Sequence, residues 1–198
     1  MHPEWAKATE WERQWWAHCA NTFGEEFKQL LYARKMGLKT FHDGKSPFNF
    51  DLEGKSVVDI GGGPCSLLLK CRNVRGVVVD PCRYPAWVYG RYIEAGIKIN
   101  SIPAEQLEIQ GIDEAWIYNC LQHTQDPKEI CRRARQAAKI IRVFEWIDTG
   151  TSEGHLHNLT EALLNEWLGG EGKVERVNEN TAAGLAYYGI FRGANYGS

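Results

Sequence analysis

Val57-Val58-Asp59-Ile60-Gly61-Gly62-Gly63-Pro64-Cys65 is the stretch on which the fold turns. A short apolar run, SVVDI (56–60), stops at three successive glycines, so it reads as a buried strand ending in a tight turn. Glycines at the carboxyl end of a first strand let backbone approach a ligand with no side chain between them. The next apolar run, RGVVVD (75–80), ends in Asp80, 21 residues after Asp59. A carboxylate at that position accepts hydrogen bonds from the two hydroxyls of a ribose. A tight strand–helix turn followed by a helix-capping Asp is the plainer alternative for the same residues.

Outward from this stretch the pattern alternates. A short helix is expected within 61–73, a helix at 87–95, a strand at 97–102 and a strand at 114–119. A helix at 127–138 and a strand at 139–147 follow. Strands apolar on both faces, alternating with helices, predict a parallel sheet covered on both sides. The end departs from that rhythm. A helix at 160–168 leads to GKVERVN (172–178) and GLAYYGIFR (184–192), joined by a short Asn/Thr-rich turn. Two successive strands without a helix between them pair antiparallel or sit apart. Before the sheet, residues 3–36 read as helical and 38–54 as a connector. The expected fold is therefore α/β: a Rossmann-like doubly wound seven-stranded sheet with an antiparallel terminal hairpin and an N-terminal helical lid. The division is a lid over 1–50 and a binding domain over 51–198.

At 198 residues with 23 Lys+Arg against 25 Asp+Glu, the chain suits one compact domain and lacks the basic excess of a phosphate-gripping protein. No stretch approaches the ~20 apolar residues of a membrane helix. The first residues alternate acids, bases and Trp, unlike a signal or transit peptide, so a cytoplasmic setting with reduced thiols is expected. The six cysteines form no C-x-x-C pair. Cys120 is the one placed where thiol chemistry would be considered.

With these motifs in view, the sequence resembles the class I S-adenosylmethionine-dependent methyltransferases, most of all the small-molecule group related to ubiquinone-biosynthesis enzymes. The resemblance runs from about Val57 to Ile147. Asp59-Ile60-Gly61-Gly62-Gly63 matches the family's first motif, with Cys65 where another glycine often stands. The resemblance implies that Asp80 holds the cofactor ribose and that Pro81-Cys82 lies beside the adenine. Ser101 to Leu107 is similar to the third motif, commonly D-A-E-x-L. Pro103 here replaces its acid, leaving adenine recognition to backbone around Ile102, Pro103 and Ala104 or to Glu105. Trp116 to His123, followed by Asp126-Pro127, resembles the fourth motif and puts Asn119, Cys120, Gln122 and His123 at the crevice. The implied cofactor is S-adenosylmethionine.

Methyl transfer is an in-line displacement that needs collinear positioning, exclusion of water and, where required, removal of a proton. His123 is the first candidate for base or acceptor-orienting group, and Glu145, at the end of the fifth main strand, is the second. A capping role for His123 and a simply solvated Glu145 stand beside these readings. Four of the eight Trp residues, Trp5, Trp11, Trp15 and Trp16, fall in the first 16 positions. Among the early residues Trp15, Trp16, His18 and Tyr32 are acceptor-pocket candidates, with His155 on the 149–157 loop. His155-Leu156-His157 lacks a third ligand, so no metal is expected.

The residues after the fourth strand, Asn119-Cys120-Leu121-Gln122, do not match the [DNS]-P-P-[YFW] of amino-methylating DNA enzymes. Neither Pro64-Cys65 nor Pro81-Cys82 sits where a cytosine-5 nucleophile would. The basic run Arg132, Arg133, Arg135, Lys139 and Arg142 reads as a solvated helix face. A small-molecule acceptor with no nucleic acid and no membrane is the expectation. Two alternatives stay open: a catalytically silent cofactor-binding or accessory protein, motivated by Pro103, and a nucleotide or nucleic-acid methyltransferase needing a partner. A dinucleotide oxidoreductase fits less well, because Asp59 precedes the loop directly and the chain closes on a hairpin.

Overall fold

A computed structural model describes residues 3–179 and 182–195. In chain order its main elements are α1 (Pro3–Trp16), α2 (Cys19–Lys35), β1 (Phe50–Asp51), β2 (Ser56–Ile60), β3 (Cys71–Arg72), β4 (Arg75–Val79), α3 (Ala86–Glu94), β5 (Lys98–Asn100) and β6 (Ile112–Tyr118). There follow α4 (Pro127–Ala137), β7 (Ala138–Ile147), α5 (Glu161–Leu168), β8 (Lys173–Glu179) and β9 (Ala182–Arg192). Seven strands form one sheet in the order β5-β4-β2-β6-β7-β9-β8, and β1 pairs with β3 in a two-stranded sheet beside it. β2, β4, β5, β6 and β7 run parallel, whereas β9 pairs antiparallel with both β7 and β8. The terminal strands thus form the expected hairpin, with β9 inserted beside β7. The turn residues 180–181 lie outside the described residues.

Alternation along each strand explains the two cores. Val57, Trp116, Tyr118 and Phe144 face one side with Tyr32, Met36, Val88 and Tyr92. Val58, Ile60, Ala115, Ile117, Ile141 and Val143 face the other with Ile130, Ala134, Leu164 and Leu168 of α4 and α5. Successive side chains of a strand point to opposite faces, so each apolar run supplies both layers. Local chemistry sets the helix ends. The Asp126 carboxylate accepts from the Glu129 N–H at 2.9 Å with Pro127 at the first helical position, and Gly169 ends α5 at φ +69°.

Three expectations need correction. The helix anticipated within 61–73 is two short 3₁₀ turns, Gly63–Cys65 and Leu67–Lys70, followed by β3. The cause is side-chain capture of the backbone donors: Tyr92 Oη accepts from Ser66 N–H (3.1 Å), Tyr118 Oη from Leu67 N–H (2.9 Å) and Ser66 Oγ from Leu68 N–H (3.0 Å). Those N–H groups are satisfied without i→i−4 bonds, so an α-helix gains nothing there. The connector contains β1. The N-terminal helical run breaks at 17–18 into α1 and α2, which lets α1 turn across the sheet end. Among the described residues no helix is long and apolar enough to cross a membrane.

Gly61 holds φ +69°, and a Cβ there would lie 2.5 Å from the Cys120 Cβ. The strand-to-turn step therefore requires glycine both for its dihedral and for the close pass of β6's end. Gly61→Ala is expected to lower the unfolding free energy in urea by about 2–4 kcal/mol, the combined scale of positive-φ strain and overpacking. An unchanged midpoint and slope would show that the turn relaxes freely.

Candidate functional site

A cavity of about 400 Å³ opens at the carboxyl ends of β2, β4 and β6, under α1 and α2. Its floor is the glycine turn Gly61–Gly63 with Pro64 and Cys65. Its sides carry Asp80, Pro81 and Cys82 after β4, Ala104 and Glu105, and Asn119, Cys120 and His123 after β6. Crevices beyond the carboxyl ends of parallel strands, where the strand order reverses, are the usual ligand sites of such sheets.

Asp59 lies below the floor rather than in the wall. Its Oδ2 accepts from Ser66 Oγ and from Tyr118 Oη at 2.5 Å, while Oδ1 has no partner. Full burial pushes its carboxyl up to about 7, the two hydroxyl donors pulling the other way. A Cβ on Gly62 would stand 2.8 Å from this carboxylate, so the second glycine is needed for the turn to fold over Asp59. Gly63 is different. A Cβ there meets nothing nearer than Tyr84 Oη at 3.9 Å, so any side chain would project into the cavity.

Asp80 is held by three donors: Gly63 N–H (3.1 Å), Cys82 N–H (2.9 Å) and Tyr84 Oη (2.8 Å). These fix the carboxylate against the turn and leave lone pairs for a ligand. Burial raises its pKa, opposed by these hydrogen bonds. Asn119 ends β6 at φ +50°, a conformation few non-glycine residues adopt. Its Nδ2 donates to Glu25 of α2 (3.0 Å), and its Oδ1 accepts from Gln122 (3.1 Å).

Both ring nitrogens of His123 are engaged. Nδ1 lies 2.6 Å from the Gly154 carbonyl and 3.2 Å from Glu12 Oε1, while Nε2 lies 3.1 Å from Gln122 Nε2. The carbonyl requires the proton on Nδ1, so Nε2 accepts from Gln122; this tautomer follows from the network. Burial holds the His123 pKa below its usual value, which keeps the ring neutral. Gln122 is buried behind it and does not line the cavity. Glu145 also lies outside the cavity wall. Its Oε1 accepts from the Cys120 and Leu121 N–H groups, each at 3.1 Å, and its Oε2 has no partner. Glu145 therefore braces the turn after β6, and burial pushes its carboxyl up to about 8.

The structure sorts the other sequence candidates. Trp15, Trp16 and His155 line the cavity, whereas His18, Tyr32, Ile102 and Pro103 do not. Tyr32 is fully buried in the core, its hydroxyl donating to Glu25 at 2.8 Å. Cys120 lines the wall, but burial drives its thiol well above the ordinary range, which removes the thiolate a nucleophile needs. His155 packs edge-on to His123 with ring centres 4.7 Å apart, while His157 points away to the Thr124 carbonyl. The basic run is solvated only in part: Arg132 and Arg133 of α4 pair with Glu129 near the surface, whereas Arg142 lies on β7 and turns inward to the buried Glu114 (2.7 Å) and the Met36 carbonyl (2.8 Å).

Sequence reasoning missed Glu12, Glu25, Lys28, Gln29, Trp5, Trp11, Tyr118 and Trp146, all in the wall. The Trp5-to-Trp16 spacing on α1 was the one available signal, and it did not single out Glu12. α1 is fastened over the cavity by Trp11, whose ring fills the space a Gly154 side chain would need, and by Glu12 at His123.

No family model and no curated protein matches the sequence. Solved structures do. The chain is similar to Burkholderia thailandensis 1,6-didemethyltoxoflavin-N1-methyltransferase, crystallised with 1,6-didemethyltoxoflavin and S-adenosylhomocysteine: TM-score 0.57, 18% identity, over 71% of this chain and 72% of that one. It is also similar to the methyltransferase complexed with the Haloferax volcanii activator Trm112 (TM-score 0.63, 13% identity, 90% and 96% covered). An Aquifex aeolicus S-adenosylmethionine-dependent methyltransferase follows (TM-score 0.54, 14% identity, 84% and 89% covered). The chain has the class I methyltransferase fold.

Glu145 offers a test of this electrostatic picture. Its folded pKa of about 8 lies above that of an unfolded glutamate, so folding takes up a proton. The associated stability is fully present below about pH 4.3 and is lost as pH rises through about 8, at up to ~1.4 kcal/mol per unit. Glu145→Gln is expected to flatten the decline of urea stability between pH 5 and pH 8. An identical slope in the variant would mean that Glu145 ionises as an ordinary carboxyl.

Proposed function

We propose that the protein is an S-adenosylmethionine-dependent methyltransferase acting on an oxygen or nitrogen of a small-molecule acceptor. The observation that carries this reading is the cavity at the strand ends, floored by Gly61–Gly63 and flanked by a fixed, ligand-accessible Asp80. The cofactor fits that wall. Asp80 offers the acceptor atoms a ribose needs, Pro81-Cys82 and Ala104-Glu105 flank the space beside it, and Gly63 leaves room for close approach. Continuing past Asp80 along the glycine turn, Glu25, Lys28 and Gln29 offer both charges to an amino-acid end. Gln29 Oε1 is buried without a partner, its Nε2 donating to the Cys65 carbonyl. The cofactor, when bound, supplies an electrophilic methyl group on a cationic sulfur.

The chain's own residues then have defined tasks. Gly61–Gly63 and Asp80 hold the donor, and residues 1–50 act as the lid. The indoles of Trp5, Trp11, Trp15 and Trp16 exclude water from the acceptor side. His123 orients the acceptor edge and the lid, because its basic nitrogen is already accepting from Gln122. Asn119, held by Glu25 and Gln122, fixes the wall next to the reacting centre.

Titration calorimetry with S-adenosylhomocysteine tests the reading. The parent is expected to bind, and Asp80→Ala to bind at least about 30-fold more weakly, since about 2 kcal/mol of charge-assisted hydrogen bonding is lost. Absence of heat and of any thermal shift with the parent would remove both the enzyme reading and that of a catalytically silent cofactor-binding protein.

A further inference from the structure

Glu12 sits on the inner face of α1 and reaches into the cavity, with Oε2 3.7 Å from Cys82 Sγ and Oε1 3.2 Å from His123 Nδ1. Every other acid in the wall is well served. Glu25 has Lys28 at 3.0 Å with the Tyr32 hydroxyl and the Asn119 amide. Glu105 accepts from the Gln125 and Asp126 N–H groups, and Asp80 from three donors. Glu12 has only a thiol and a neutral imidazole, and among the described residues no Lys or Arg pairs with it. The same helix face carries indoles. Trp5 lies seven positions before Glu12, and Trp15 and Trp16 lie three and four after it, spacings that put them on one side of a helix. All three line the cavity with Glu12.

We propose that Glu12 and the α1 indoles form an ammonium-binding subsite, so that the methyl acceptor is a small organic amine that docks as its cation and passes one proton to the Glu12 carboxylate, which frees the nitrogen lone pair to form the new N–C bond as the methyl–sulfur bond breaks and S-adenosylhomocysteine leaves. This rests on the methyltransferase reading and narrows it to nitrogen. Glu12 is half-buried, its side chain 19% exposed, and a largely shielded carboxylate without a countercharge is costly, a cost that a ligand cation removes. Burial, reinforced by the charge of Asp80, pushes the Glu12 carboxyl up to about 8, as expected of an acid that awaits a positive partner. Indole faces attract a desolvated ammonium as well, which the flanking tryptophans supply. A neutral phenol or enol would give Glu12 one hydrogen bond but no countercharge, and would lack the attraction of a cation to the indole faces.

The test is a binding comparison with the protein saturated in S-adenosylhomocysteine, using benzylammonium and phenethylammonium against benzyl alcohol and phenethyl alcohol as neutral counterparts. Calorimetry is expected to show each cation binding at least about 10-fold more tightly than its alcohol. In Glu12→Gln this preference is expected to vanish, while S-adenosylhomocysteine affinity and the melting temperature stay near the parent's. Equal binding of cation and alcohol, a preference surviving in Glu12→Gln, or no binding of either ammonium at about 10 mM overturns the proposal. A 10-fold loss of S-adenosylhomocysteine affinity in Glu12→Gln overturns it too, by placing Glu12 in the cofactor's site. Failure of the parent to bind S-adenosylhomocysteine at all defeats the methyltransferase reading instead.

Discussion

A buried carboxylate beneath a glycine turn organises this molecule. Asp59, one residue before the end of β2, has one oxygen held by two hydroxyls, from Ser66 on the following turn and from Tyr118 on the neighbouring strand. Because those donors come from different segments, satisfying one buried acid fixes the turn against β6. The same Ser66 hydroxyl, with the Tyr92 and Tyr118 hydroxyls, takes the N–H groups that an ordinary helix would have used. The glycines follow as a requirement: Gly61 because Cys120 crowds it, Gly62 because Asp59 does. The cavity floor is the surface of this packed unit, so its shape is set before any ligand arrives.

Acids recur at each edge of the cavity, and their roles divide by what holds them. Asp59 and Glu145 lie outside the wall and brace the turns after β2 and β6 through hydrogen bonds from those turns. Asp80 is in the wall, fixed by backbone and tyrosine donors, and still has accepting capacity. Glu12 comes from α1 and, among the described residues, meets only the Cys82 thiol and the His123 imidazole. One residue type thus stands behind the wall as a brace, within it as a fixed acceptor and on α1 as a contact across the cavity, with hydrogen-bond supply and exposure to the cavity making the difference.

The two N-terminal helices link these parts. α1 touches the rest of the site through the Trp11 ring on Gly154 and through Glu12 at Cys82 and His123. Farther away, Lys35 and Arg34 of α2 pair with Glu175 and Glu179 on β8, joining α2 to the terminal hairpin. The hairpin therefore closes the sheet and also anchors the helix that brings Glu25 and Gln29 to the cavity.

The alternation of apolar runs with helices, the glycine turn after Asp59, Asp80 at the next strand end and the two closing strands were legible in the amino-acid sequence, because each depends on local periodicity or on turn chemistry. The cavity-lining positions of Gly61–Gly63 and Asp80 followed from those strand ends, whereas those of Pro81, Cys82, Ala104, Glu105, Asn119, Cys120 and His123 came from the family resemblance. Tertiary structure alone decided the rest. Ser66, Tyr92 and Tyr118 meet only when separate elements pack, and their hydroxyls replace an expected helix with 3₁₀ turns. Glu145 became a brace rather than a cavity group, and His123 lost its free nitrogen, through partners distant in the chain. Glu12 entered the site only because α1 folds across the sheet end, a contact of high sequence separation that no local pattern encodes.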